Sequence, residues 1–394
     1  MTQPRPTIKH ALPGAGAYAP EIAILLGPKQ FDLKAADKLD VIDLRVTLEK
    51  DQLGGFSLVL ANTDARFELG EGSPFKYTDS SLFDINTEIT IGMGYAGNVK
   101  KVLVGEILSF SPSFPQSGLP TVALTGADRL NRLRRSKPGN DVSKSFPQRA
   151  DWEIAQQIAA RHDLGFVATR EGPKHPLVMQ KDKDDLDFLL ECAKTVGYDC
   201  YIDVDDQGRD TLHFIRPLDQ SDARPVDEFT YEWGVSLRSF TPRLRIGRQV
   251  AKVTVRGWDP RTKQVIEYTA TVNDLPRTPG KGRTGAEVVA DKEAGAKDER
   301  IVDLRVSTRD EAKTTAINLL ERNANEFLTG TGEVMGEPDL RPGSIVNLGK
   351  LGDRFSGPYT VKKVEHQFGA GGYTTTFEVE RIRENAKPKA ANPP

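Results

Sequence analysis

At 394 residues the chain exceeds the usual span of one core and leaves room for roughly two to four domains. Formal net charge is only −2 although 28% of residues are charged, which excludes a dominant basic nucleic-acid footprint and an acidic solvating tail. The two cysteines, Cys192 and Cys200, fit neither a disulfide framework nor paired zinc spacing and read as reduced thiols, and no apolar run matches a signal peptide or a membrane span.

In chain order, residues 1–20 read as a flexible N-terminal arm. Gly14-Ala15-Gly16-Ala17-Tyr18-Ala19 fits the dinucleotide fingerprint G-x-G-x-x-A, but no strand precedes it and Pro13 and Pro20 frame it, so the arm reading stands. Residues 21–138 carry the runs EIAILLG, DVIDLRVTLE, FSLVLAN, TEITIGMGY, KKVLVGEILSFSPSF and PTVALTGAD, most alternating apolar with polar residues as half-buried strands do. They predict a β-barrel or sandwich.

Over 139–230 the period changes. Asp151 is placed to cap a helix carrying Ile158 and Ala159, and Asp184 a second helix with Leu186, Leu189, Leu190 and Ala193 on one stripe; Gly165 and Gly197 mark where the two should stop. CYIDVDDQGRDTLHFIRP then predicts a hairpin, which makes this segment a small α/β module. Residues 231–384 return to strand patterning, with a helix over 309–328. The stretch 276–300 is polar and Gly-rich and predicts a long exposed loop; 385–394 predicts a disordered tail.

No catalytic constellation emerges. His10, His162, His175, His213 and His366 form no H-x-x-x-H pair and stand beside no cysteine, and there is neither a nucleophile elbow nor a phosphate loop, so an enzyme, a metal or a cofactor has no sequence support. The acidic run from Lys181 to Asp187 reads as a solvated helix start favoured by the dipole. Arg129, Arg132, Arg134 and Arg135 form a basic cluster without interleaved aromatics at a domain junction, which favours a subunit or tube contact over nucleic acid. No helix-turn-helix supports a transcriptional regulator.

The first and third regions share an order of runs. VIDLRV at Val41 to Val46 returns as IVDLRV at Ile301 to Val306, and in each region three strand-like runs follow with Gly-rich turns. Two homologous barrels per chain would let a trimer present six similar units to a six-fold ring.

The run LRPGSIVNLGKLGDRFSGPYTVKKVEHQFGAGGYTTTFEVERIR, Leu340 to Arg383, resembles the C-terminal signature of the phage late control D family. Gln180 to Asp203 and Asp151 to Phe166 are similar to the family's acidic-run helix and the helix before it, so the likeness covers about the last two thirds of the chain. These are baseplate hub proteins of contractile tails, similar to the hub portion of VgrG spikes. The resemblance implies a mainly β fold with an α/β insertion: two tube-like antiparallel β-barrels flanking a small α/β module. It implies a homotrimer made in the cytoplasm and assembled into a phage or phage-tail-like baseplate, joining a hexameric tail tube to a spike and contacting other baseplate proteins, with cargo or DNA passing through its channel. No Val/Gly spike repeats follow residue 383, so the spike is expected to be a separate protein. Gly343, Gly357, Tyr359, His366 and Thr376 are the signature's structural residues: Gly343 in a turn that a Cβ would obstruct, Gly357 at a strand entry, Tyr359 in the core, His366 hydrogen-bonded. Contacts between subunits are expected from edge strands near 87–95 and 344–348. The alternative from another class is a tail-tip peptidoglycan-binding or cell-wall-degrading protein, suggested by the helix-rich middle module.

Overall fold

The computed structural model describes residues 8–10, 19–27, 31–32, 38, 40–50, 52–64, 74–135, 144–204, 209–216, 228–259, 262–275, 282–292, 298–302, 306 and 308–385. The first region holds β1 (Ile8–His10), β2 (Pro20–Leu26), β3 (Phe31–Asp32), β4 (Val41–Glu49), β5 (Gly55–Ala61), β6 (Glu88–Tyr95), β7 (Asn98–Ser113) and β8 (Thr121–Asp128). A 3-10 helix, Arg129–Arg135, leads into the middle module of β9 (Ser145–Arg149), α1 (Asp151–Arg161), β10 (Gly165–Ala168), β11 (His175–Met179), α2 (Asp185–Val196), β12 (Asp199–Val204) and β13 (Asp210–Ile215). The third region follows with β14 (Glu228–Glu232), β15 (Leu237–Leu244), β16 (Lys252–Asp259), β17 (Gln264–Thr271), α3 (Gly285–Lys292), β18 (Asp298–Val302), α4 (Arg309–Asn325), β19 (Leu328–Met335), β20 (Ile345–Gly349), α5 (Gly352–Phe355), β21 (Gly357–Gly369) and β22 (Gly372–Arg381).

The expectation of two tube-like barrels is overturned. Among the described residues no sheet closes; instead fourteen strands form one sheet in the order β1-β14-β20-β21-β4-β5-β8-β7-β6-β2-β3, with β22, β19 and β15 branching from β21. The cause is the length of β21. Its first residues, Gly357–Thr360, pair with β20, while Lys363–Gly369 pair with β4, so one edge serves two partners and the other edge pairs with β22. A short β20 leaves the rest of that edge unpaired, and buried backbone groups require partners; β4 supplies them and fuses the first and third regions.

The hexapeptide match does not mark equivalent strands. Val41 to Val46 lie in β4, whereas Ile301 and Val302 end β18, a strand parallel to β16 in a separate three-stranded sheet; residues 303–305 lie outside the described ones. The two meanders, β6-β7-β8 and β20-β21-β22, do share an antiparallel order. Nor are the strands near 87–95 and 344–348 edges: β6 is paired by β2 and β7, and β20 by β14 and β21.

Four apolar cores follow from these elements. The first gathers alternate residues of the long sheet, such as Leu44, Val46, Leu58, Leu60, Ile91 and Leu124. The middle module buries Ile154, Ile158, Leu186, Leu189 and Phe214 between its helices and its β10-β13-β12 sheet. A third core lies around Tyr231, Tyr359 and Phe377. In the fourth, α4 packs Ala312, Ala316, Leu320 and Ala324, spaced by four, against Val253, Val255 and Ala270; a residue such as Leu320 contributes roughly 1.5–3 kcal/mol on burial.

Local signals differ in how they resolve. Asp184 does cap α2, accepting from Asp187 N at 2.8 Å, and Gly197 ends it at φ 71°. Asp151 is the first helical residue of α1 rather than its cap, and Gly165 opens β10 while α1 ends at His162. The stretch expected to be a loop over 276–300 contains α3, whose Thr284 and Glu287 bond reciprocally and whose Ala286 and Val288 are buried. Within the expected N-terminal arm, β1 adds parallel to β14; the glycine motif through Tyr18 and the tail from 386 onward lie outside the described residues.

Candidate functional site: the seams between modules

Three of the side chains singled out from sequence, Arg129, Arg132 and His175, fall at seams where the three regions meet. Arg129 pairs with Glu88 of β6 and Asp210 of β13, and Arg132 reaches Glu106 of β7 at 2.6 Å and Glu88 at 3.2 Å. Two of the four clustered arginines are therefore spent inside the chain, clasping the first region to the middle module. Arg134 is exposed, and Arg135 closes the 3-10 helix. Beside them burial pushes the Asp128 carboxyl up to about 7, against backbone hydrogen bonds from Gly54 and Leu130.

The acidic run is not a solvated helix start throughout. Asp185 is fully buried and accepts from Gln180 Nε2 at 2.7 Å and Arg161 Nη1 at 2.9 Å, with His162 Nε2 at 3.0 Å and Lys144 at 3.6 Å. Burial pushes its pKa up, but the bonds from His162 and Gln180 and the charges of Arg161 and Lys144 prevail and hold it below the ordinary value. A Gln ahead of an acidic run thus has a physical purpose: it satisfies the carboxylate that locks α1 to α2.

At a second seam His175 lies between two carboxylates, its Nε2 2.8 Å from Asp151 and its Nδ1 3.0 Å from Glu311. Burial would lower its pKa, yet the two hydrogen bonds and the two charges raise it to about 10. The same residues line a pocket of about 210 Å³ between β11, α2 and α4, walled by Leu177, Val178, Met179 and Val196. In sequence His175 belongs to no H-x-x-x-H pair and stands beside no cysteine, and its partner Glu311 lies 136 residues away. The only local signal was the Thr308–Glu311 capping box that fixes the carboxylate.

At a third junction Lys50 Nζ lies 3.0 Å from Asp199. Burial raises Asp199, Glu321 and Glu380 alike, and the Lys50 charge opposes this in each. The first and third regions also meet directly: Tyr95 OH donates to Gly336 O at 3.0 Å, Lys100 pairs with Asp339, and Arg341 donates to the carbonyls of Lys101 and Val102.

The C-terminal signature residues are spread along β20 to β22. Gly343 has φ +87° with open space where a Cβ would stand, so its backbone conformation favours glycine and no clash does. Gly357, at φ +120°, has Arg381 Nη1 3.1 Å from an added Cβ. Tyr359 is buried, donates to Phe355 O at 2.6 Å and carries the Arg381 guanidinium 4.3 Å from its ring centroid. His366 is fully buried, with Nδ1 3.2 Å from Thr375 Oγ1 and 3.0 Å from Tyr373 OH. Burial first, and Arg341 second, lower its pKa to about 3. Thr376 is half-buried opposite Glu365 and Glu333.

Among the described residues no three His, Cys, Asp or Glu side chains are grouped to hold a metal ion. Both cysteines are buried and form no disulfide with each other, and no described helix is long and apolar enough to cross a membrane. What the arrangement does chemically is hold modules together with charge.

The fold is similar to that of phage tail proteins, of a type VI secretion component and of a chain in a PdpA-VgrG complex. The chain is similar to the 43 kDa tail protein of prophage MuSo2 from Shewanella oneidensis, with 15% identity and a TM-score of 0.64 over 92% of this chain and 99% of that one. A tail protein from Neisseria meningitidis MC58 is similar at 13% identity and a TM-score of 0.64, over 94% of this chain and all of that one. A component of the E. coli type VI secretion system, itself similar to bacteriophage T4 tail proteins, matches at 14% identity and a TM-score of 0.56, over 89% and 76% of the two chains. A family model described as the Alg8 N-terminal domain matches residues 33–369, and the chain belongs to that family. No curated protein matches the sequence.

Proposed function

We propose that the chain is a structural hub of a contractile tail or tail-like injection machine, acting by assembly and not by catalysis. In this reading three copies form a ring that joins a hexameric tube to a separate spike, contacts other baseplate proteins and leaves a central passage for cargo or DNA. The chain is made in the cytoplasm and ends in the assembled particle. Gly343, Gly357, Tyr359, His366 and Thr376 maintain the β20–β22 meander, and the exposed Arg134, with Arg135 next to it in sequence, is assigned to contacts outside the chain.

The observation that carries this reading is that the shared fold spans 92% of this chain and 99% of a prophage tail protein, so the likeness takes in the whole assembly of modules and not one recurrent piece. The seams support it further, because a ring that transmits force needs modules that do not swing, and each region is tied to the next by paired charges. The two antiparallel meanders supply a pair of comparable strand sets per copy, which favours matching three subunits to a six-fold ring. Mass spectrometry of purified sheathed particles tests the proposal. Three copies per particle, alongside tube and spike proteins, are expected; particles that lack the chain overturn it.

A further inference from the structure

Charge is segregated along this nearly neutral chain. From Gly234 to Trp258 there are six cations and no carboxylate, and from Tyr77 to Val99 three carboxylates and no cation. On the basic stretch Arg243, Arg245, Ile246 and Arg248 are exposed at and beyond the end of β15, the outer strand of the branch. Arg248 approaches Glu326 at 3.4 Å, whereas Arg243 and Arg245 form no ion pair among the described residues. On the acidic stretch Asp79, Asp84 and Ile85 are exposed. Phe75 links this loop to the β7–β8 hairpin through an edge-on contact with Phe114 at 4.8 Å. That hairpin is exposed from Ser111 to Leu119, carries no charge from Leu108 to Pro120, and leaves Phe114 53% and Leu119 66% accessible.

We infer that these two faces bind each other between copies, the acidic and apolar face of one chain seating on the basic strand end of the next. This names the contact within the ring and rests on the hub reading. The occupant follows from the charges. A chain that exposes Arg243, Arg245 and Arg248 at the end of β15 and Asp79 and Asp84 in the loop before β6 carries two local patches of opposite sign, which are complementary in a head-to-tail sense. Sheet order puts the faces on different wings, one through β4, β5 and β8 to β7, the other through β22 and β19 to β15. Apolar groups flank both, with Phe114, Leu119 and Ile85 on one side and Ile246, 52% exposed, on the other. A nucleic acid would satisfy the arginines but leave the apolar hairpin and the acidic loop beside it with no counterpart.

Sedimentation of the full chain tests this with three variants: Asp79→Arg with Asp84→Arg, Arg243→Glu with Arg245→Glu, and all four changes together. Every altered residue is exposed, and circular dichroism checks that each variant folds. Either reversal alone is expected to weaken association at least tenfold, and the combined variant to recover most of it. Unchanged association in both reversals, or no recovery in the combined variant, overturns the interface while the three-copy ring stands. A wild-type chain that stays monomeric at every concentration removes the ring reading as well. A photo-crosslinking residue at Phe114 gives a second readout: attachment within residues 243–248 of another copy is expected, and attachment elsewhere overturns the assignment.

Discussion

In the seam between β11 and α4, His175 has a carboxylate on each ring nitrogen, whereas on β21 the Nδ1 of His366 meets the hydroxyls of Thr375 and Tyr373 of β22. His366 is fully buried and His175 largely so, yet His175 is held charged to about pH 10 and His366 neutral to about pH 3. The difference teaches that burial penalises the charged form in both places, and that partners decide whether the penalty is overcome. It also separates two kinds of region. The seam is held by charge between modules, whereas around His366 packing and hydroxyl partners keep the ring neutral.

The comparison can be broken most forcefully in acid. The unfolded chain takes a proton at His366 near pH 6.5, while the folded chain does so only near pH 3. Stability is therefore lost as pH falls through that window, by about 1.4 kcal/mol per unit from this residue. His366→Asn is expected to flatten the acid limb of urea-unfolding free energies by that slope; an unchanged limb contradicts a neutral His366.

His175→Ala comes next. It leaves Asp151 and Glu311 facing each other without a cation and is expected to cost roughly 2–3 kcal/mol at pH 7 in the same assay. Because the folded pKa is raised from 6.5 to about 10, the stabilisation from His175 is complete below pH 6.5 and is lost as pH climbs through 10. The wild type should weaken over that range and the variant should not.

Thr375→Val removes one hydroxyl from His366 and is expected to cost about 1 kcal/mol without charging the ring, which nitrogen chemical shifts would report. The smallest effect belongs to Arg341→Gln, which withdraws the cation that assists burial at His366. A modest upward move of the ring's titration is expected, read by NMR; a downward move would contradict the assigned cause.

Much of the local structure was legible in the sequence. Alternation marked β4, β5 and β8 because each has one buried face, and Asp184 with Gly197 bracketed α2 because caps act within a turn. Closure into barrels was not legible, since it depends on which strand completes the free edge of β21, and β4 does so from more than 300 residues away. The same distance hid the candidate site. Glu88, Glu106 and Asp210 absorb Arg129 and Arg132 from remote strands, and Asp185 looks like any exposed helix-start acid until Arg161, Gln180 and Lys144 converge on it. The capping box at Thr284 and Glu287 lies in glycine-rich, polar surroundings, and that composition is what reads as a loop.

The central claim is that this chain works as a ring-forming hub, and native mass spectrometry of the full chain, alone and mixed with the tube protein, tests it most directly. The account predicts a three-copy species that captures one six-membered tube ring; a chain that remains monomeric and leaves the tube protein unbound would contradict it.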